Sequence, residues 1–241
     1  LALLRTFAVP RSSALLGATG EFVGRTQRRY DDTSILISTL GFYGYDSPEG
    51  RAALRRMNTL HRRYPIPNDE YLYVLSTFVL EPLRWNAAFG WRPLSPQERE
   101  AAYVFWREVG RRMHIQGIPD SLGALGSWSR AYERAHFAYS PHNRRLAEAV
   151  RDLFCSWFLP RPLWPLGRQL VYALLEPELR AAFGFPAPRA WARLLVRGGL
   201  RARSRLLRLL PARRRPYRLT RTRSYPNGWR LSEVGPPGER A

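Results

Sequence analysis

The chain has no lysine: all 39 of its basic residues are arginine. Arginine's GC-rich codons make that bias a mark of the genome as much as of a function. Cys155 is the only cysteine, which excludes a disulfide-stapled scaffold and cysteine-based zinc sites. The four histidines, His61, His114, His136 and His142, show no short metal-ligand spacing, so a redox cofactor would have to be held by histidine. No uncharged run approaches the roughly 18 residues that a spanning helix needs; Thr33–Tyr45 is the longest in the first half. The chain begins at Leu1 rather than Met, so an upstream signal or anchor is left open. Acidic residues are also missing from one region. Residues 1–178 hold 23 Arg against 17 acids, whereas 179–232 hold 15 Arg and no acid. A Gly-rich phosphate loop, a G-x-S-x-G elbow, an H-E-x-x-H pair and closely spaced carboxylates are all lacking, which leaves hydrolase and nucleotide-binding classes unsupported.

What is present is apolar and helical. Of 241 residues 45% are hydrophobic and 13% aromatic, enough to collapse into a core and to exclude disorder of the whole. Helix punctuation dominates over strand-like alternation. Ser47-Pro48-Glu49 reads as an N-cap, a proline in the first turn and an acid, opening a segment that stops at Pro65 with the stripe Ala53, Met57, Leu60 and Tyr64. Ser95-Pro96-Gln97-Glu98 is a capping box before Ala102, Phe105, Trp106, Val109 and Met113. Asn68 with Asp69 and Glu70 starts another helix, which Pro82 is expected to kink or restart. Further helices fit Arg29–Leu40, Leu122–Phe137, Asn143–Trp157, Gln169–Phe183 and Ala190–Leu210. The spacing predicts an all-α protein of about eight helices, with no internal repeat. A helical domain over 1–185 is expected to precede a basic C-terminal helix and an irregular tail over 186–241, anchored by Tyr217, Tyr225 and Trp229.

Few residues stand out chemically. His61 falls on the apolar stripe of its helix, and two readings fit: a buried neutral imidazole bonded to a carbonyl, or an axial haem ligand with Nε2 on the iron and Nδ1 orienting the ring through a hydrogen bond. Arg29 and Thr33, four apart beside Ile37, could hold a carboxylate together; alternatively Arg28, Arg29, Asp31 and Asp32 form a solvated first turn with weak local ion pairs. His114, His136 and His142 are expected at the surface. Arg197, Arg201, Arg205 and Arg208 recur at near-helical steps beside leucines, the pattern of an amphipathic basic helix lying on an anionic membrane or touching phosphate.

The runs Arg29-Tyr-Asp-Asp-Thr33, Arg55-Arg-Met-Asn-Thr-Leu-His61, Tyr71-Leu-Tyr-Val-Leu-Ser-Thr-Phe78, Gly90-Trp-Arg92 and Phe105-Trp-Arg-Glu-Val-Gly-Arg-Arg-Met113 together resemble the oxygenase family of latex-clearing proteins. The likeness is nearer to the branch of the prenyl-cleaving oxygenase of mycophenolic acid biosynthesis. It extends from Thr6-Phe-Ala-Val-Pro10 to Arg223-Ser-Tyr-Pro-Asn-Gly228. The resemblance implies a helical fold with a globin-like core that binds haem b and uses dioxygen to cleave a carbon–carbon double bond of an isoprenoid chain. It places the iron ligand on His61 and the family's arginine and threonine, as catalytic and cofactor-contacting residues, on Arg29 and Thr33. A lysine presented to the distal iron face has no counterpart here. The family's upstream acid is not found at Pro10-Arg-Ser-Ser-Ala14, and His114 stands where glycine is expected.

The expected function is therefore a haem-dependent oxygenase acting on an apolar, prenylated substrate. The competing reading is a non-enzymatic basic helical module that docks on anionic membrane. Membrane contact through Arg197–Arg223 is expected in either case, at a cytoplasmic or peripheral-membrane location within the cell. Nucleic acid is not expected as a partner, because no reading helix is recognisable.

Overall fold

A computed structural model describes residues 2–211 and 214–236. Among the described residues the chain forms twelve α-helices and no strand: α1 (Ala2–Phe7), α2 (Pro10–Ala18), α3 (Glu21–Gly24), α4 (Thr26–Tyr43), α5 (Pro48–His61), α6 (Asn68–Phe89), α7 (Pro96–Arg112), α8 (Leu122–His136), α9 (Pro141–Phe158), α10 (Trp164–Leu174), α11 (Pro177–Phe183) and α12 (Ala190–Leu209). The protein is all-α. Local chemistry sets many of these boundaries. Ser47 Oγ accepts from the Gly50 amide at 2.9 Å to open α5. At α7, Ser95 and Glu98 close a reciprocal capping box with bonds of 3.1 and 2.8 Å.

Two expectations from the sequence are corrected. Pro82 does not restart its helix, for α6 runs unbroken from Asn68 to Phe89; Tyr73, Leu75, Val79 and Leu80 are buried before it, and their packing outweighs one missing backbone bond. The expected helix Gln169–Phe183 is instead two, α10 and α11. Glu176, ahead of Pro177, takes the extended conformation at φ −64° and ψ 156°, as the residue before a proline prefers. The short helices α1–α3 carry too few turns to show a sequence period.

Three larger apolar clusters and a small one of Val9, Tyr73 and Tyr132 hold the described helices together. Leu4, Phe7, Phe22, Leu146, Leu179 and Phe183 join α1, α3, α9 and α11. Leu72, Leu75, Val79, Tyr103 and Leu125 join α6, α7 and α8. The third unites α4, α5 and α7 through Ile35, Leu40, Ala53, Met57 and Val109, and the tail residues Tyr225 and Val234 complete it. Close approach at the start of α5 requires Gly50, where a Cβ would lie 1.9 Å from the Gly44 carbonyl oxygen. Of the tail anchors expected from sequence, Tyr225 is buried and Trp229 packs against the third cluster; Tyr217 is exposed.

Candidate functional site

Arg29 and Thr33 sit one helical turn apart on α4, and the guanidinium Nη1 donates to Thr33 Oγ1 at 2.6 Å. That hydroxyl in turn donates to the Arg29 carbonyl at 3.1 Å. The guanidinium lies over the Phe22 ring, 5.0 Å from its centroid. Among the described residues Arg29 makes no ion pair, and burial lowers its pKa while the more distant Asp32 and Glu21 only partly offset that. Arg29 is thus a half-buried guanidinium without a bonded carboxylate.

His61 ends α5, which packs along α4. Its ring is half-buried, yet Nδ1 is closed off from solvent with no hydrogen-bond partner. The expected bond orienting the ring through Nδ1 is therefore not made. Burial, and then the Arg29 charge, bring the imidazole pKa down from 6.5 to about 4, so the ring is neutral at pH 7. The ring of Tyr71, near the start of α6, meets it edge-on at 5.6 Å. The fold thus brings His61 into the field of Arg29, and Arg29 onto Thr33, as one junction of α4, α5 and α6.

The alternative of a solvated first turn fails on Asp31 and Asp32, which are both buried. Asp31 accepts from the Ser224 amide at 2.8 Å and from Gln27 at 2.9 Å. Asp32 accepts from the Tyr225 hydroxyl at 2.6 Å. Burial raises the Asp32 pKa, against the lowering effect of the Tyr225 bond and the nearby Arg28 and Arg29. The motif at 29–33 and the motif at 223–228 are thereby tied to each other across nearly the whole sequence.

His114, His136 and His142 are exposed. His114 adopts φ +62°, the left-handed region, which explains why glycine was expected at that place. At Pro10–Ala14, where the sequence lacks an acid, Ser12 Oγ donates to the buried Glu70 at 2.5 Å, and Arg11 pairs with the same carboxylate. Among the described residues no group of three or more His, Cys, Asp or Glu is placed to hold a metal ion; a haem needs only an axial side chain. Sequence reasoning missed Tyr71 and Phe22 as neighbours of His61 and Arg29. Tyr71 lay within a quoted motif, but its contact depends on the turn at 62–67. A cleft of about 490 Å³ between α6, α7 and α8, lined by Leu80, Leu83, Arg84, Arg99, Leu122 and Arg130, contains none of the three site residues.

Residues 1–209 match the family described as ER-bound oxygenase mpaB/B'/rubber oxygenase, catalytic domain. The chain is 31% identical over 199 residues to "ER-bound oxygenase mpaB" of Penicillium roqueforti (strain FM164), covering 75% of this chain and 66% of the relative. It is 30% identical over 205 residues to "ER-bound oxygenase mpaB'" of Penicillium brevicompactum, covering 78% and 48%. The chain thus spans from about half to just under two thirds of the length of these relatives.

Proposed function

Because the chain belongs to the mpaB/B'/rubber oxygenase catalytic-domain family, we propose that it is a haem-dependent oxygenase. It uses dioxygen to cleave or oxidise a carbon–carbon double bond of an isoprenoid or other apolar substrate. The observation that carries this reading is the His61 imidazole, held neutral with a buried, unpartnered Nδ1 beside an arginine that lacks a carboxylate. A neutral imidazole, whose Nε2 would be the donor, and a guanidinium without a bonded carboxylate match the two demands of a b-type haem, an axial donor and a cation for a propionate, while the unpartnered Nδ1 is the nitrogen left to take an orienting bond. When bound, the haem supplies the redox-active iron that dioxygen chemistry requires.

The protein's own contribution is to position and to exclude. Burial keeps a proton off His61 across the neutral range, so the imidazole stays available as a ligand. Thr33 fixes the direction of the Arg29 fork through its 2.6 Å bond, and Phe22 backs it with a ring face. Tyr71 limits rotation of the histidine ring by edge contact. This chain would bring no lysine ammonium to a bound haem, since it has none.

Protein purified after expression with haem supply is expected to show a Soret band, and His61→Ala to lose stoichiometric haem and oxygen-dependent cleavage of prenylated substrates. His114→Ala, His136→Ala and His142→Ala are expected to keep both. A wild-type Soret band in His61→Ala would overturn the ligand assignment; a wild type that never acquires haem would overturn the oxygenase reading. The non-enzymatic reading, for which His61 is dispensable, draws on the outer face of α12. We also place the protein at a membrane surface, as the relatives' name "ER-bound" suggests by analogy.

A further inference from the structure

Helix α12 has three faces rather than two. Ala192, Val196, Leu200, Ser204 and Leu207 follow one another at steps of three and four and turn inward, toward α10 and α6. Arg193, Arg197, Arg201 and Arg205 recur every fourth residue, exposed and without an ion pair among the described residues. On the remaining side Trp191, Leu195, Ala202, Leu206 and Leu209 form a second apolar stripe that points to solvent. Leu195 is 57%, Leu206 63% and Leu209 82% exposed. A core-facing helix needs only one apolar stripe, so the outer one is unexplained by folding.

We infer that this outer face of α12 is a docking surface for an anionic lipid bilayer, with the leucine stripe entering the headgroup–acyl boundary and the arginine row meeting lipid phosphates. Charge complementarity selects the occupant: residues 179–232 have 15 Arg and no acid, and α10 beneath contains no acidic residue. Exposed leucines with a flanking arginine row fit a bilayer, which offers both an apolar layer and anionic charge; nucleic acid offers no home for the leucines. No helix among the described residues is long and apolar enough to cross a membrane, and α12, about 30 Å long for its 20 residues, lies along the surface instead. Within the contact expected from sequence over Arg197–Arg223, of which Arg213 lies outside the described residues, three arginines turn to the protein itself. Arg208 donates to the Trp91 carbonyl at 2.6 Å, while Arg218 lies over the Phe42 and Tyr43 rings and Arg223 over Trp157. The inference does not depend on the haem.

Co-sedimentation of the full chain with phosphatidylcholine–phosphatidylserine vesicles tests it. The wild type is expected to bind these vesicles, and pure phosphatidylcholine vesicles far less. Because all the changed positions are solvent-exposed, the triple change Leu195→Gln, Leu206→Gln, Leu209→Gln should fold with an unaltered circular dichroism spectrum and weaken binding at least roughly tenfold. Arg193→Gln, Arg197→Gln, Arg201→Gln and Arg205→Gln together should weaken it comparably and abolish its salt dependence. No binding by the wild type, or undiminished binding by the leucine variant, overturns the proposal. So does a wild type that forms a dimer dispersed by the leucine changes, or one that binds RNA more tightly than the vesicles.

Discussion

Arg5 and Arg29 are both drawn into the helical body, but with opposite surroundings. Arg5, only 2% exposed, stands among three carboxylates from three other parts of the chain. Its Nε lies 2.7 Å from Glu81, its Nη1 donates to Glu133 at 2.8 Å, and its Nη2 pairs with Glu176. Burial alone would lower its pKa, yet the three glutamates outweigh that and raise it. Arg29 has a threonine hydroxyl and a phenyl face instead, and its pKa falls. An arginine matched by anions is holding a structure together. One left short of an anion is, in the proposed reading, the cation that a ligand would meet.

That contrast can be broken most directly at Arg5. Arg5→Met should leave the buried Glu81 and the half-buried Glu133 with Arg84 alone, 2.6 and 3.9 Å away, and cost about 3 kcal/mol of stability, read from urea unfolding. A loss comparable to that of an ordinary surface substitution would show the cluster to be incidental.

The next effect is one of pH, at the Arg29 end. His61 has a pKa of about 4 in the fold against an ordinary 6.5, so between these values the unfolded chain takes up a proton that the folded protein refuses. Its contribution is unchanged above pH 6.5 and turns against the fold as pH falls toward 4, by up to about 3 kcal/mol. In haem-free protein, His61→Gln should remove that part of the acid sensitivity, measured as the wild-type-minus-variant difference in unfolding free energy at pH 7 and pH 4.5. A difference that does not change with pH would mean that the imidazole is not desolvated.

The smallest stability effect sharpens the comparison further. Arg29→Gln should leave stability within about 1 kcal/mol of wild type, since no ion pair is broken, while haem retention or turnover declines. Removal of the neighbouring charge should also let the His61 pKa rise, visible as a shifted imidazole titration by NMR. A cost as large as that of Arg5→Met would make Arg29 a structural residue after all.

Legibility in the sequence followed the range of the forces involved. Caps at Ser47 and Ser95, the stripe through Ala53 and Met57, and the helical periods of α7, α8 and α9 are set within one or two turns, and all could be read locally. Pro82 and the Leu175–Pro177 break show the limit. Both prolines raise the same local objection to a helix, and only burial around Tyr73, Val79 and Leu80 decided that one would be overruled. At the candidate site, Arg29 and Thr33 were readable as a pair because α4 itself joins them. Their nearness to His61 was carried by resemblance, and the sequence held no local sign that Asp31 and Asp32 would be roofed by Ser224 and Tyr225, nearly 200 residues away.

By itself the sequence determined that the protein is helical, that its basic charge is wholly arginine and in excess toward one end, and that His61 lies on an apolar stripe; composition and short-range periodicity suffice for each. Only the tertiary structure decided which buried arginine is neutralised, which face of α12 remains open, and that His61 Nδ1 is left without a partner. Those outcomes depend on which distant segments meet, and desolvation, ion pairing and exposure have no value until they do.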